Sequence, residues 1–134
     1  MSYVVLYCST LVSFLLIDIV MIKTNILPMF ERNVGSIMLD SPRLMAALLF
    51  YTFYVLGIIY LAGLPYLKES VSMHEALISS FIIGLLAYGT YEFTNYATLQ
   101  GWTLQMLVID TIWGGVLTAT SLFLGLKITK LFIT

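Results

Sequence analysis

Three carboxylate side chains interrupt stretches of sequence that are otherwise apolar. Asp18 ends an uncharged run that starts at residue 2, Glu92 interrupts a run that starts at residue 76, and Asp110 interrupts one that starts at residue 103. Ionisable residues are costly inside a membrane, usually face the interior of a helix bundle, and are candidates for function. The chemistry available to such groups is the binding of protons or cations, because either partner neutralises a charge that apolar surroundings disfavour.

The composition indicates that the elements carrying these acids are membrane helices. Hydrophobic residues make up 60% of the 134-residue chain and charged residues only 10%, whereas soluble domains are about 45–50% apolar and about 25% charged. Four segments reach the roughly 20 residues that a membrane helix needs, at residues 2–22, 44–67, 76–97 and 103–126. Their apolar residues do not alternate with polar ones, so we predict an all-α membrane bundle rather than a barrel.

The connection between the first two spans is the longest, at residues 23–43. Within it Phe30, Val34 and Ile37 recur at helical spacing and form one apolar stripe, flanked by charged and polar side chains. We expect a short helix that lies in the membrane interface rather than a fifth span. No linker, repeat or composition change divides the sequence, so residues 1–134 are interpreted as a single four-helix transmembrane domain.

The order of the spans predicts that the three acids lie at a similar depth. The first and third spans run toward the same side of the membrane, and the fourth span starts there. Asp18 lies about one turn from that side, Glu92 about one and a half turns, and Asp110 about two turns, where a turn rises about 5.4 Å. One acid on each of three helices at one level predicts a common polar cavity.

Helical spacing places further polar and aromatic side chains on the faces that carry the acids. On the third span they recur at i, i+3, i+4 and i+7 from Tyr88, and on the fourth span an indole follows Asp110 by three residues. Two phenol groups share one face of the second span, and Arg43 at its start is the obvious cationic partner. The candidate site for a ligand or a proton consists of Asp18, Arg43, Tyr51, Tyr54, Tyr88, Tyr91, Glu92, Asn95, Asp110 and Trp113.

Each of these features also has a structural explanation. Glu92 with Asn95 can join helices by hydrogen bonds, Asp110 can form an ion pair with Arg43, and Trp102 and the tyrosines can belong to the aromatic belt at the membrane surface. However, three carboxylates in one small apolar cavity cannot all remain ionised. Either a proton or a cation must therefore be held among them.

Several classes of function have no support in the sequence. The net charge of −1 gives no indication of nucleic-acid binding, and the single cysteine excludes an intramolecular disulfide. Oxygen ligands alone can bind a hard cation, but the spacing of the acids does not favour a metal site. No phosphate-binding glycine loop, nucleophilic triad or redox cysteine pair is present. We therefore predict no metal, no cofactor and no nucleic-acid partner.

Three blocks of the sequence resemble a known family. LLFYTFYVLGIIYLAGLPYL, AYGTYEFTNYATLQGW and VIDTIWGGVLTA are similar to the signature blocks of the bacterial membrane family named domain of unknown function 2177. Its usual central block reads Y-A-T-Y-D-L-T-N-x-A-T-L and its last block D-x-x-W-G. The resemblance covers about residues 15–121 and implies a small polytopic membrane protein without an established activity. The matching positions are Tyr91, Thr94, Asn95, Ala97, Thr98, Leu99, Trp102, Asp110, Trp113 and Gly114, with Asp18 as an early aspartate.

The sequence departs from this family pattern at two positions. Glu92 replaces the usual aspartate, which keeps the charge but lengthens the reach of the side chain. Met21 stands where the resemblance implies a tryptophan three residues after Asp18. An aromatic wall contributed by the first span is therefore in question.

Three functions remain open from the sequence. The first is the binding or transport of a small cationic or amphipathic solute, or of protons, in a one-sided acidic and aromatic pocket. The second is a structural or accessory membrane subunit, and the third is a membrane enzyme that acts on a lipid or an isoprenoid through Glu92 and Asp110. The bilayer is the expected partner, a homodimer or a partner subunit stays open, and we expect the bacterial inner membrane as the location.

Overall fold

The computed structural model describes residues 1–133, which form four long helices and no strand. Helix α1 comprises Ser2–Ile37, α2 comprises Leu44–Leu67, α3 comprises Met73–Thr98 and α4 comprises Leu104–Ile133. Each helix is long and apolar enough to cross a membrane. The all-α membrane architecture predicted from the composition is confirmed. The bounds of α2 coincide with the predicted segment, whereas α1 and α4 continue well beyond theirs.

Helices α1 and α2 each contain a proline that follows a widened turn. Pro28 comes after the π-helical segment Ile22–Ile26, and Pro65 comes after the π-helical segment Ile59–Gly63. Proline has no N–H to donate to the carbonyl four residues earlier, which ordinarily breaks a helix. Here the residue after each widened segment donates its N–H to the carbonyl five residues back. Both helices therefore continue past their prolines.

The predicted interfacial helix is the last part of α1. Residues Leu27–Val34 are α-helical, as expected, but no connection separates them from the first span. Ile37, which belongs to the predicted apolar stripe, is 62% exposed. Val34 of the predicted stripe is buried and Phe30 packs beside it, on a face of α1 that lies against the start of α4. The resulting cluster consists of Ile26, Met29, Val34, Trp102 and Met106.

Helix α4 lies at the centre of the bundle, because it packs along both α1 and α3. Twelve of its side chains or glycines are buried, spread from Met106 to Thr129. The main apolar core, which α4 shares with α1 and α2, consists of Leu6, Phe14, Val55, Ile58, Ile59, Ala62, Leu117, Leu122 and Leu126.

Helices α3 and α4 approach each other closely where glycines face each other. A Cβ atom on Gly84 would collide with the backbone of Gly114, and one on Gly114 would collide with the ring of Tyr88. A Cβ atom on Gly115 would lie 2.8 Å from the ring of Phe81. Small residues allow membrane helices to pack at such short separations. The close approach of a neighbouring backbone, which Gly114 and Gly115 predict, is therefore present in the structure.

Helix α2 packs on the bundle along only part of its length. Every residue from 41 to 50 is exposed, whereas buried side chains begin at Val55. The C-terminal part of α2 contacts α3, but its N-terminal part packs mainly on α1. Helices α2 and α3 therefore diverge toward the side of the membrane where α2 begins. This divergence leaves a gap beside the buried acids.

A capping box starts helix α3. The spacing of Ser72 and Glu75 predicts this motif, and the structure confirms it. The Ser72 hydroxyl accepts the N–H of Glu75 at 3.1 Å, and the Glu75 carboxylate accepts the N–H of Ser72 at 2.7 Å. These two bonds satisfy backbone donors that the first turn of a helix cannot pair internally. The polar connection before α3 is thereby fixed to the helix that carries Glu92.

Replacement of Gly84 by alanine tests the close packing of α3 on α4. We expect Gly84→Ala to lower the free energy of unfolding by about 1–3 kcal/mol, since the added methyl group meets the backbone of Gly114. Gly57→Ala is the matched control, because a Cβ atom on that helical glycine meets nothing within 4 Å. Unfolding of both variants in mixed detergent micelles measures the difference. Equal stability of the two variants would show that the helices do not touch at Gly84.

Candidate functional site

The three membrane acids are buried on three neighbouring helices. Asp18 on α1 is 4% exposed, Glu92 on α3 is fully buried, and Asp110 on α4 is 6% exposed. Asp18 and Asp110 line one cavity, and the carboxyl group of Glu92 lies within hydrogen-bonding reach of Asp110. The structure therefore brings together the side chains that the order of the spans places at one depth.

Asp18 is held by two aromatic side chains from other helices. The indole Nε1 of Trp113 donates a hydrogen bond to Asp18 Oδ1 at 3.0 Å. The phenol group of Tyr51 also lies within hydrogen-bonding reach of this carboxyl. A buried carboxylate is stabilised when N–H and O–H donors replace the water that it has lost. Asp18 thus joins α1 to both α2 and α4.

Glu92 and Asp110 form a pair of carboxyl groups at the contact between α3 and α4. Glu92 Oε1 accepts a hydrogen bond from Trp102 Nε1 at 2.9 Å, whereas Oε2 has no N–H or O–H partner. Because a carboxylate is only an acceptor, two carboxyl groups bond to each other only when one of them carries a proton. The arrangement can therefore hold one proton between Glu92 and Asp110, or a cation beside Asp110.

A half-open cavity of about 530 Å³ lies between α1, α2 and α3, with Asp110 of α4 at its inner wall. This volume is within the range of about 300–1,000 Å³ that small-molecule sites occupy. Its walls are mostly apolar and aromatic, and its two acids are Asp18 and Asp110. The lining residues are Asp18, Ile22, Ile26, Phe30, Phe50, Tyr51, Ala87, Tyr88, Thr90, Tyr91, Thr94 and Asp110.

Three of the predicted tyrosines line this cavity, and the fourth lies behind it. Tyr51, Tyr88 and Tyr91 contribute to the walls. The buried hydroxyl of Tyr88 has no hydrogen-bond partner. Tyr54 instead shares a 2.7 Å hydrogen bond with the hydroxyl of Thr118, so it links α2 to α4. The cavity thus offers aromatic faces, two carboxyl groups and one hydroxyl that is free to bond to a ligand.

The predicted cationic partner of the acids lies elsewhere. Arg43 is exposed at the start of α2, and no ion pair joins it to a carboxylate within residues 1–133. The expected ion pair between Arg43 and Asp110 is therefore not formed. The physical reason is the divergence of α2, which carries its first turns away from the bundle. Nor do the acids gather with histidine or cysteine in a group that fits a metal ion, within the same residues.

The sequence matches one protein family over most of its length. The family described as "Predicted membrane protein (DUF2177)" matches residues 3–127. The chain belongs to this DUF2177 family. Searches of curated proteins and of solved structures give no match.

Three of the residues at which the sequence resembles the family's blocks lie around the acids. Trp102 donates a hydrogen bond to Glu92, Trp113 donates one to Asp18, and the ring of Tyr88 packs against Gly114. Asn95 does not line the cavity, but its side chain lies within hydrogen-bonding reach of Tyr91. Glu92 and Met21, the two positions at which the sequence departs from the blocks that it resembles, are also placed by their contacts. Glu92 is fully buried and accepts the hydrogen bond of Trp102. Met21 packs beside the cluster that contains Ile26 and Trp102.

Seven of the twelve residues that line the cavity in this DUF2177 protein are not among the site residues predicted from the sequence. Ile22, Ile26 and Phe30 continue the face of Asp18 at intervals of four residues. This signal becomes visible only if α1 is taken to continue past residue 22, where the predicted span ends, and for Phe30 also past Pro28. Trp102, which the aromatic-belt explanation places at the membrane surface, is only 9% exposed and bonds to an acid. The other residues missed are Phe50, Ala87, Thr90 and Thr94.

Removal of the indole N–H of Trp102 tests the bond to Glu92. We expect Trp102→Phe to lower the free energy of unfolding by about 1–3 kcal/mol, because a buried carboxyl group loses a donor. The same substitution in a Glu92→Leu background is expected to cost less, since the partner is already absent. Unfolding measurements on the four proteins complete this cycle. A cost that is equal in both backgrounds would contradict the assigned bond.

Proposed function

We propose that the cavity binds a small cationic solute inside the membrane. The observation that carries this proposal is the presence of two buried carboxyl groups, Asp18 and Asp110, in a cavity without a basic side chain among its lining residues. Carboxyl groups in such surroundings are stabilised by a positive partner. Arg43 does not supply it from its exposed position, so a bound cation or a proton is the partner left to the site.

The aromatic lining supports an organic cation over a bare metal ion. Tyr51, Tyr88 and Tyr91 present rings beside the two acids. A desolvated cation is attracted to the face of an aromatic ring by up to about 2 kcal/mol. Hard metal ions prefer several carboxylate and carbonyl oxygens, whereas only two carboxyl groups line this mostly apolar wall. Such a site fits a substituted ammonium group, whose charge is spread over alkyl groups.

Glu92 has a different role in this proposal. It is fully buried, is absent from the cavity wall and is bonded to Trp102. These contacts favour the structural explanation for Glu92, namely that it fastens α3 to α4. Acid–base catalysis by Glu92 and Asp110 on a lipid requires a substrate that contacts both carboxyl groups. Only Asp110 lines the cavity, so the geometry supports binding better than catalysis. The proposed location is the bacterial inner membrane, and transport of the cation, alone or by a homodimer, is an extension of the same proposal.

Binding of tetramethylammonium to the purified protein tests the proposal. We expect Asp18→Asn and Asp110→Asn each to weaken binding at least about tenfold, since each removes one charge that faces the cation. Asp40→Asn is the matched control, because Asp40 is exposed in the connection between α1 and α2. Equilibrium dialysis with the radiolabelled cation measures the affinities. Equal binding by all three variants would overturn the cavity as the site.

Proton release on binding tests the role of the paired carboxyl groups. A cation beside Asp110 takes the place of a proton shared with Glu92, so binding of tetramethylammonium near neutral pH is expected to release protons into weak buffer. Glu92→Gln is expected to bind the cation but to release fewer protons, because glutamine donates a hydrogen bond to Asp110 without a titratable proton. A pH-sensitive dye reports the release. Identical release by both proteins would contradict a shared proton.

A further inference from the structure

We infer that the ligand of this cavity is an amphiphile with an ammonium head and an alkyl tail, and that it enters sideways from the bilayer. This inference rests on the proposed function, because the head is the cation held by Asp18 and Asp110. It adds a substrate class and a route of entry. Three features of the cavity carry it, namely its mouth, its long apolar groove and the rings that close its end.

The mouth of the cavity lies between α2 and α3, where these helices diverge. Phe50 from α2 is 53% exposed, and Thr90 and Thr94 from α3 are exposed as well, although all three line the cavity. Every residue from 41 to 50 is exposed. Because α2 and α3 are both apolar membrane helices, a gap between them faces lipid chains. An amphiphile that is already in the bilayer can reach the acids through this gap.

The mouth is chemically suited to an alkyl chain. The hydroxyl of Thr90 donates a hydrogen bond to the carbonyl of Leu86 at 2.6 Å, and that of Thr94 donates to the carbonyl of Thr90. With their hydroxyls bonded to their own helix, both threonines expose methyl groups without an unpaired donor. Phe50 supplies an apolar rim on the opposite side. No polar group at this rim requires water while a tail passes.

A groove for the tail runs along α1. Asp18, Ile22, Ile26 and Phe30 follow one another at intervals of four residues, and all four line the cavity. They cover about 18 Å of helix at a rise of about 1.5 Å per residue. The carboxyl group lies at one end of this row, and three apolar side chains follow it. A ligand with one charged end and one apolar end matches this order of chemistry.

The end of the cavity beside the connection between α3 and α4 is closed by aromatic rings. The indole of Trp102 lies edge-on against Phe30 at 5.2 Å and against Tyr91 at 5.7 Å between ring centroids. Phe30 and Tyr91 both line the cavity, and Trp102 itself is nearly buried. A hydrophilic cation that comes from water at this end meets packed rings. The gap between α2 and α3 is the more open path.

A series of alkyltrimethylammonium ions tests the inference in lipid nanodiscs. We expect decyltrimethylammonium to bind more than about tenfold tighter than tetramethylammonium, because burial of even two methylene groups gives this gain. Binding to the Asp18→Asn and Asp110→Asn double variant is subtracted, because that signal contains the partition of the ions into the lipid without the carboxyl-dependent binding. Decyl sulfate, with the same tail and an anionic head, is expected to show no such difference between the two proteins.

Substitutions that block the mouth test the route of entry independently of the head-group site. Ala87→Trp fills the cavity side of the gap, and Leu86→Trp is its control on a 65% exposed neighbour outside the cavity. We expect only Ala87→Trp to slow the association of decyltrimethylammonium, by about tenfold or more, because a blocked route of entry lowers a rate. Should Ala87→Trp fail to fold, a bulky maleimide on exposed Thr90→Cys in a Cys8→Ser background replaces it.

The outcomes distinguish the two proposals. Carboxyl-dependent binding of tetramethylammonium without any gain from a longer tail overturns the amphiphile and leaves the cation site standing. A gain from the tail with unchanged association in the mouth variants overturns lateral entry. Absence of carboxyl-dependent binding for every member of the series overturns both proposals. A gain from the tail, together with slow association in the mouth variants, supports lateral entry of a cationic amphiphile.

Discussion

Burial of carboxyl groups between membrane helices is the constraint on which the rest of this structure depends. A carboxyl group that has left water must find donors, a proton or a cation inside the protein. Trp113 of α4 bonds to Asp18 of α1, and Trp102 in the connection before α4 bonds to Glu92 of α3, which also lies within hydrogen-bonding reach of Asp110. These bonds require α1, α3 and α4 to pack at fixed positions. The glycine contact between α3 and α4 then allows their backbones to come close enough.

The same constraint gives the acids different surroundings. Glu92 accepts the N–H of Trp102 through Oε1 and does not line the cavity, and in the proposed function it holds helices together. Asp18 and Asp110 face a space that is large enough for a small molecule and carries no basic side chain in its lining. Helix α2 completes that space without closing it, because its first turns stand apart from α3. A rigid three-helix contact and one loosely packed helix together make a pocket with an open side.

Much of this arrangement follows from the sequence, and the missing parts have physical causes. Hydrophobic length predicts four helices, and the order of the spans predicts that Asp18, Glu92 and Asp110 meet at one depth. Because proline ordinarily ends a helix, the continuation of α1 past Pro28 is not predicted from the sequence. The helix continues because a widened turn forms a hydrogen bond to the carbonyl five residues back. The position of Arg43 away from the acids is also not predicted from the sequence, because it depends on the orientation of α2 relative to the bundle rather than on a local sequence pattern. Trp102 looks like a surface belt residue by position, and only the folded loop turns its indole inward to Glu92.

Crystallographic placement of a heavy cation tests the central claim most directly. Tetramethylarsonium has the shape and charge of tetramethylammonium, and its arsenic atom is located by anomalous scattering. We predict one arsenic peak in the cavity, between the carboxyl groups of Asp18 and Asp110 and within contact of the rings of Tyr51 and Tyr88, that disappears in crystals of the Asp18→Asn and Asp110→Asn double variant. A cavity without arsenic in crystals grown at a saturating concentration of the cation, with both acids bonded only to protein groups, would contradict a cation-binding site.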